Sequence, residues 1–123
     1  MEPLEPPIRV SRGDLFWVAT DVAGTKQSQP HPHVVVQDDL FNHSRVTTVI
    51  MCAITTNLHR ASEPGNVLLD PGEGRLPKQS VVVGSRVLSV EKARLGERIG
   101  ALSTERVDQI LAGLRFLQAT YFG

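Results

Sequence analysis

Cysteine is almost absent from this sequence: Cys52 is the single one in 123 residues. One cysteine cannot form a disulfide within the chain, and small secreted domains usually need several, so this composition favours a reducing compartment. No apolar stretch approaches the ~20 residues of a membrane-spanning helix. The first seven residues hold three prolines and two glutamates, and they have neither the basic nor the apolar part of a signal peptide. We therefore expect a cytoplasmic protein that does not bind a membrane.

Aromatic residues and net charge are also scarce. Aromatic side chains make up 5% of the chain against 41% hydrophobic residues overall, so aliphatic side chains must fill most of a core. The 13 basic residues are balanced by 13 acidic residues. A neutral chain lacks the positive field of an indiscriminate nucleic-acid binder, so any contact with RNA must come from a local patch. Cys52 lies in an apolar run, where cysteine is typically a small buried hydrophobe and not a nucleophile.

Short β-branched and apolar runs separated by turn residues predict a mostly β domain. The expected strands cover residues 14–20, 34–36, 47–54, 66–69, 80–85, 87–90 and 97–102, with a turn or one helical turn at 38–42. Residues 21–30 have no apolar periodicity and predict a flexible connection. Three prolines predict a loose tail over residues 1–11, followed by one domain over residues 12–123. Many short strands of this kind form a barrel or a sandwich.

The hydrophobic period changes near the C-terminus. Apolar residues recur there at helical spacing, at Val107, Ile110, Leu111, Leu114, Leu117 and Tyr121. Ser103 or Thr104 can cap a helix, and Glu105 would lie in its first turn, where negative charge suits the helix dipole. We expect one amphipathic helix over about residues 104–121, packed on the barrel by its apolar stripe.

Six segments, in order, resemble the MazF/PemK toxin family and cover about residues 12–117. They are the Arg-Gly-Asp with following aromatics at 12–18, the second strand and turn at 32–39 with Asn42 after it, the strand ending in an Ile-Thr pair at 52–57, and the segments 79–82, 89–95 and 99–103. The resemblance implies an SH3-like antiparallel β-barrel of the CcdB/MazF/PemK type with one C-terminal helix, a mostly β (α+β) fold. The strand and helix patterns favour the same fold class.

The resemblance also implies an activity and partners. Proteins of this family are homodimers in which a flexible loop after the first strand lines a groove for RNA. They cut single-stranded RNA without a metal ion or other cofactor and leave a cyclic phosphate, and the tail of a cognate antitoxin blocks the groove. The leading hypothesis is therefore the endoribonuclease toxin of a type II toxin–antitoxin system.

Two positions of this sequence match the family's typical catalytic residues, and one of them departs from the pattern. Metal-free RNA cleavage needs a base for the 2′-hydroxyl proton, an acid for the leaving oxygen and donors for the charge on phosphorus. The family typically has an arginine before the second strand and a threonine that ends the third. Thr55 matches the threonine, whereas His31 stands where the arginine is expected.

Two interpretations of His31 stay open. On an extended strand His31 and His33 share one face, about 7 Å apart along the chain. Histidine exchanges protons near neutrality, so two of them suit an acid–base pair for phosphodiester transfer. In the other interpretation, the segment only shapes the entry to the strand and the site has lost activity. The second function hypothesis follows from it: a catalytically weak or inactive relative that binds RNA, an antitoxin or, like CcdB, DNA gyrase.

Further polar residues are candidates for contact with RNA. Lys26, Gln27 and Ser28 lie in the connection after the first strand, and Arg45, Arg60, Arg75 and Lys78 could position phosphate groups. The four histidines have no paired cysteines and no recognised ligand spacing, so we predict no metal site.

Overall fold

The computed structural model describes residues 9–20 and 29–122. It shows a curled, six-stranded antiparallel sheet, a half-barrel, with one long C-terminal helix. The strands are β1 (Asp14–Ala19), β2 (Pro30–Val35), β3 (Thr48–Thr55), β4 (Val67–Leu69), β5 (Ser80–Glu91) and β6 (Arg98–Ala101). The helices are α1 (Asp39–Asn42) and α2 (Thr104–Phe122), and short 3₁₀ turns cover Leu58–Ser62, Glu73–Arg75 and Lys92–Arg94. The strand order is β4-β5-β3-β2-β1-β6, and the predicted fold class is confirmed.

Both faces of the sheet carry apolar side chains, because the central strands are apolar at nearly every position. On one face Leu15, Val34 and Cys52 are register partners and are fully buried. The other face buries a second cluster that includes Phe16 and Val35. Successive side chains of a strand point to opposite faces, so β1, β2, β3 and β5 contribute to both clusters.

Helix α2 covers the first of these clusters. Ile110 is 2% exposed there, and Val107, Leu111 and Leu114 pack against the same cluster. Ser103 accepts a hydrogen bond through Oγ from the backbone N–H of Arg106, at 3.2 Å, which caps the first turn. The predicted helix is confirmed, while the predicted contact of Tyr121 lies outside the described side chains. No helix in the described ranges is long and apolar enough to cross a membrane.

The N-terminal boundary predicted at residue 12 is too late. Val10 is fully buried in the second cluster, with Phe16 and Val18. The backbone N–H of Ser11 donates to Asp14 Oδ2 at 2.9 Å. Residues 9–11 therefore belong to the folded domain, because a hydrophobic anchor outweighs the tail character that the upstream prolines suggest. Residues 1–8 of the predicted tail lie outside the described residues.

Two strands differ from their predicted bounds. The predicted strands at 80–85 and 87–90 form one continuous strand, β5, whose irregular pairing hides its continuity in the sequence. Strand β2 begins at Pro30 and not at Val34. Pro30 and Pro32 pair with β1 alone, because β3 pairs only with residues 33–35 of β2. Proline is tolerated where one side of a strand needs no backbone donor.

Candidate active site

The end of β2 and the end of β3 separate from each other after a short stretch of pairing. His33 pairs with Ala53 in the antiparallel register, and pairing does not continue to His31. Two more residues in the same register would place His31 opposite Thr55, the last residue of β3. Pro32 cannot donate a backbone hydrogen bond, which favours an end to the ladder at this point. An imidazole and a hydroxyl group, those of His31 and Thr55, therefore lie at strand ends that the sheet leaves open.

A cleft of about 280 Å³ lies at this opening. It is large enough for a phosphate group and part of a nucleotide, but it is not a deep pocket. Its lining comes from the ends of β1, β2 and β3 and from the middle of β5, and it consists of Thr20, His31, His33, Ala53, Ile54, Thr55, Val83, Arg86, Val87 and Leu88. The structure thus brings together all three residues that the sequence singles out for catalysis.

His33 is the buried histidine of the pair, with 3% of its surface exposed. Its Nδ1 lies 2.9 Å from the backbone carbonyl oxygen of His31. A carbonyl can only accept, so Nδ1–H donates and a neutral ring keeps Nε2 as an acceptor. Burial lowers the pKa of His33 below 6.5; the bond to the His31 carbonyl partly offsets this, and the nearby His31 ring adds to the lowering. His33 is therefore neutral at pH 7 and can take up a proton at Nε2.

His31 is exposed and lies on the same face of β2 as His33. Its backbone carbonyl orients the His33 ring, and its own ring lines the cleft. Solvent reaches this ring directly. A buried neutral imidazole and an exposed imidazole thus share one cleft.

Thr55 is half-buried at the last position of β3. Its Oγ1 accepts a hydrogen bond from the backbone N–H of Asn57 at 3.1 Å. The hydroxyl hydrogen is then available to donate to another group. The position of the oxygen is fixed by the turn, so Thr55 offers the cleft an oriented donor.

Comparison with known proteins agrees with the fold. The family model for the "PemK-like, MazF-like toxin of type II toxin-antitoxin system" matches residues 11–117. The chain belongs to the PemK/MazF toxin family. It is 36% identical over 109 residues to "Endoribonuclease MazF6" of Mycobacterium tuberculosis, a match that covers 86% of this chain and 94% of that protein.

Three further comparisons have a lower sequence identity. "Endoribonuclease EndoA" of Bacillus subtilis is 28% identical over 102 residues, covering 82% of this chain and 87% of that protein. The solved structure of MazF from Deinococcus radiodurans superposes with a TM-score of 0.72 at 20% identity, over 91% of this chain and 98% of that chain. The structure of a mycobacterial endoribonuclease in complex with its cognate antitoxin superposes with a TM-score of 0.72 at 19% identity. The match covers 89% of this chain and 95% of that chain. These structures support the fold.

The predicted RNA-contacting residues that the structure describes do not line this cleft. Arg45 is exposed in the connection before β3, and Lys78 is exposed before β5. Arg60 is engaged by Glu63, with Nε 3.0 Å from Oε1. Arg75 lies in the 3₁₀ turn Glu73–Arg75. Lys26, Gln27 and Ser28 lie outside the described residues.

Arg86 is the cleft residue that sequence reasoning missed. The family resemblance directs attention to position 31 for an arginine, whereas the structure brings an arginine into the cleft from β5. In the sequence, Arg86 is a charged residue between two apolar runs, and such a residue suggests a break between two strands. Only the pairing of β5 with β3 shows that the break does not exist.

Cys52 is fully buried, and burial raises the pKa of its thiol to about 11, so the thiolate is scarce at neutral pH. Within residues 9–20 and 29–122, no three histidine, cysteine, aspartate or glutamate side chains are close enough together to hold a metal ion.

Proposed function

We propose that this protein is the toxin of a type II toxin–antitoxin pair and that it cleaves single-stranded RNA without a metal ion in the cleft between β2, β3 and β5. The observation that carries the proposal is the convergence of His31, His33 and Thr55 on one cleft. Membership in the PemK/MazF family and relatives named endoribonuclease support it. Such a toxin acts on cellular RNA, so its place of action is the cytoplasm.

The cleft offers each group that the reaction needs. Neutral His33 accepts the proton of the RNA 2′-hydroxyl at Nε2, and the 2′-oxygen attacks the adjacent phosphorus. The bond from phosphorus to the 5′-oxygen breaks, and protonated His31 gives its proton to the leaving oxygen. The products are a 2′,3′-cyclic phosphate and a 5′-hydroxyl. Thr55 donates a hydrogen bond to a phosphate oxygen and holds the phosphate in place.

The proposal includes partners. A homodimer joins two such clefts into a longer RNA groove, and Lys26, Gln27 and Ser28 contribute to it from the connection after β1. Arg45, Arg60 and Lys78 contact more distant phosphates. A cognate antitoxin covers the groove, in line with the mycobacterial and Deinococcus relatives that were solved as toxin–antitoxin complexes.

A second candidate is a protein that binds RNA, an antitoxin or DNA gyrase without cutting RNA. The observation in its favour is His31 at the position where the family typically has arginine. The two candidates differ in one respect that can be measured, the formation of new RNA ends.

The test is incubation of the purified protein with single-stranded RNA in excess EDTA, with detection of new ends. We expect cleavage to continue in EDTA and to leave cyclic phosphate and 5′-hydroxyl ends. Thr55→Val should lower the rate about 10- to 150-fold, since a hydrogen bond to a charged group contributes roughly 1.5–3 kcal/mol.

The neighbouring Thr56 provides the matched control, because it is exposed and does not line the cleft. Thr56→Val should keep the wild-type rate. RNA that stays intact with the wild-type protein at every pH would contradict the proposed activity and favour the binding protein. Equal rates for the two valine variants would remove Thr55 from the reaction.

A further inference from the structure

Arg86 enters the cleft from the strand opposite the two histidines. In the part of the lining that the structure describes, it is the one lysine or arginine. A guanidinium stays protonated at every pH at which proteins are folded, whereas the charge of an imidazole depends on pH. Arg86 is therefore the permanent positive charge of this site.

An irregularity in the sheet sets the position of Arg86. In the register of β3 and β5, Cys52 pairs with Val87 and Ile54 pairs with Val82. The four residues 83–86 of β5 therefore lie against Ala53 alone. A bulge lets a strand re-aim a side chain, and bulges are frequent next to active sites.

The burial pattern of β5 changes within this bulge. Residues 80–84 are all buried, and residues 85–87 are all exposed. A regular strand with one covered face would alternate instead. The change turns Arg86 out of the packed part of the sheet and toward the cleft.

Gly84, within the bulge, is held by contacts with the loop before β4. The N–H of Gly84 donates to Asn66 Oδ1 at 3.0 Å. A Cβ at Gly84 would lie 2.9 Å from the carbonyl oxygen of Gly65, so the loop before β4 packs directly on this turn of the strand. The loop before β4 therefore holds the backbone of β5 two residues before Arg86.

Arg86 has no anionic partner within the described ranges. The arginines that pair with carboxylates there are Arg12, Arg60, Arg98 and Arg106. Among the described residues, the lining of the cleft contains no aspartate or glutamate. An uncompensated guanidinium beside two imidazoles and a hydroxyl donor is complementary to a phosphate, which it can bind through two parallel N–H donors.

We propose that Arg86 binds the scissile phosphate of the RNA and stabilises the negative charge that grows on its oxygens during cleavage. This assignment rests on the proposed ribonuclease function. Arg86 is then a catalytic residue that touches the reacting group, alongside the proton-transferring histidines. Donors that meet developing charge act mainly on kcat, because the interaction strengthens in the transition state.

The test compares Arg86→Met and Arg86→Lys with Arg115→Met, all in EDTA, on an oligonucleotide that the wild type cleaves. Arg115 is an exposed arginine of α2 outside the cleft, so it controls for the loss of one positive charge. We expect Arg86→Met to lower kcat about 10²- to 10³-fold with a smaller change in KM. Arg86→Lys should restore part of kcat, and Arg115→Met should match the wild type. An Arg86→Met variant within threefold of Arg115→Met would overturn the assignment.

A binding measurement keeps this test separate from the proposed activity. The probe is a 2′-O-methyl oligonucleotide of mixed sequence, which cannot form the cyclic phosphate. The slope of log Kd against log salt concentration should be smaller by about 0.7 in Arg86→Met than in Arg115→Met, the loss of one single-strand phosphate contact. A wild type that does not cleave but shows this difference contradicts the ribonuclease and supports phosphate binding by Arg86. Equal slopes, or no binding by the wild type, contradict phosphate binding by Arg86.

Discussion

His33 links the chemistry of the site to the stability of the fold. Its burial lowers the pKa below 6.5 in the folded protein, whereas an unfolded chain keeps the ordinary value. Above pH 6.5 both states are neutral at this residue and it adds no pH dependence. As the pH falls from 6.5 toward the folded pKa, the unfolded chain binds a proton that the folded one does not, so stability falls.

We therefore predict that the free energy of unfolding decreases between pH 7.5 and pH 5 and that His33→Gln removes part of this decrease. Each pKa unit of lowering contributes about 1.4 kcal/mol of pH-dependent loss. Urea unfolding at a single protein concentration measures it. His59→Gln, at an exposed histidine, is the control and should keep the wild-type pH dependence. A His33 variant with the same pH dependence as the wild type would show that the buried ring does not resist protonation.

At the residue scale, the position of a side chain can be predicted from the sequence where its strand pairs in a regular register. It cannot be predicted where the register is irregular. His31, His33 and Thr55 meet because β2 and β3 pair regularly up to His33 and Ala53. Arg86 could not be predicted, because its position depends on four residues of β5 that lie against one residue of β3. Neither the strand propensity of single residues nor the alternation of apolar and polar residues indicates such a mismatch in the pairing of two strands.

At the element scale, helix α2 could be predicted from local sequence features. Its apolar stripe, its cap and its acidic first turn all indicate a helix, and the observed bounds Thr104–Phe122 agree with the expected range. The long strand β5 shows the opposite case. Gly84, Ser85 and Arg86 interrupt the apolar pattern and suggest a turn, but hydrogen bonding to β3 on both sides of them keeps the strand continuous.

The first residue of β2 also could not be predicted from the local sequence. Two prolines and a histidine between them are poor strand formers, and a strand beginning at Val34 is the natural expectation. The long neighbour β1 provides five pairing partners for residues 30–34, which extends β2 to Pro30. This extension is what places His31 on a strand and brings it to the cleft.

At the scale of the whole molecule, the neutral net charge is compatible with a local RNA site. The chain has 13 basic and 13 acidic residues, so attraction to RNA has to come from groups concentrated at the cleft and at the proposed dimer groove. A single cleft of about 280 Å³ holds a phosphate group and only part of a nucleotide. A second copy of the chain would supply the length that a single-stranded substrate needs.

We therefore predict a stable homodimer. Light scattering at micromolar concentration should give twice the chain mass of 13.5 kDa. The dimer should persist after dilution by tenfold, because obligate interfaces bury large apolar areas. A mass of one chain across this range would mean that the cleft has to bind RNA alone, and the proposed groove would be wrong.

We expect His31 to transfer a proton during metal-free RNA cleavage. The pH dependence of kcat/KM in EDTA tests it most directly, for the wild type, His31→Gln and His31→Arg. As the acid, His31 must be protonated, so the wild-type rate should fall on the alkaline side of a bell-shaped profile, while neutral His33 sets the acidic side below pH 6.5.

We predict that His31→Gln removes the alkaline limb and lowers the rate about 10²- to 10⁴-fold, with a native circular dichroism spectrum. His31→Arg keeps a positive charge but cannot give up its proton, so it should lack the limb and be no faster than the wild type. A nearly inactive wild type that gains cleavage through His31→Arg would contradict the claim and show a degenerate site. A wild-type profile that is unchanged in His31→Gln would exclude His31 from the reaction.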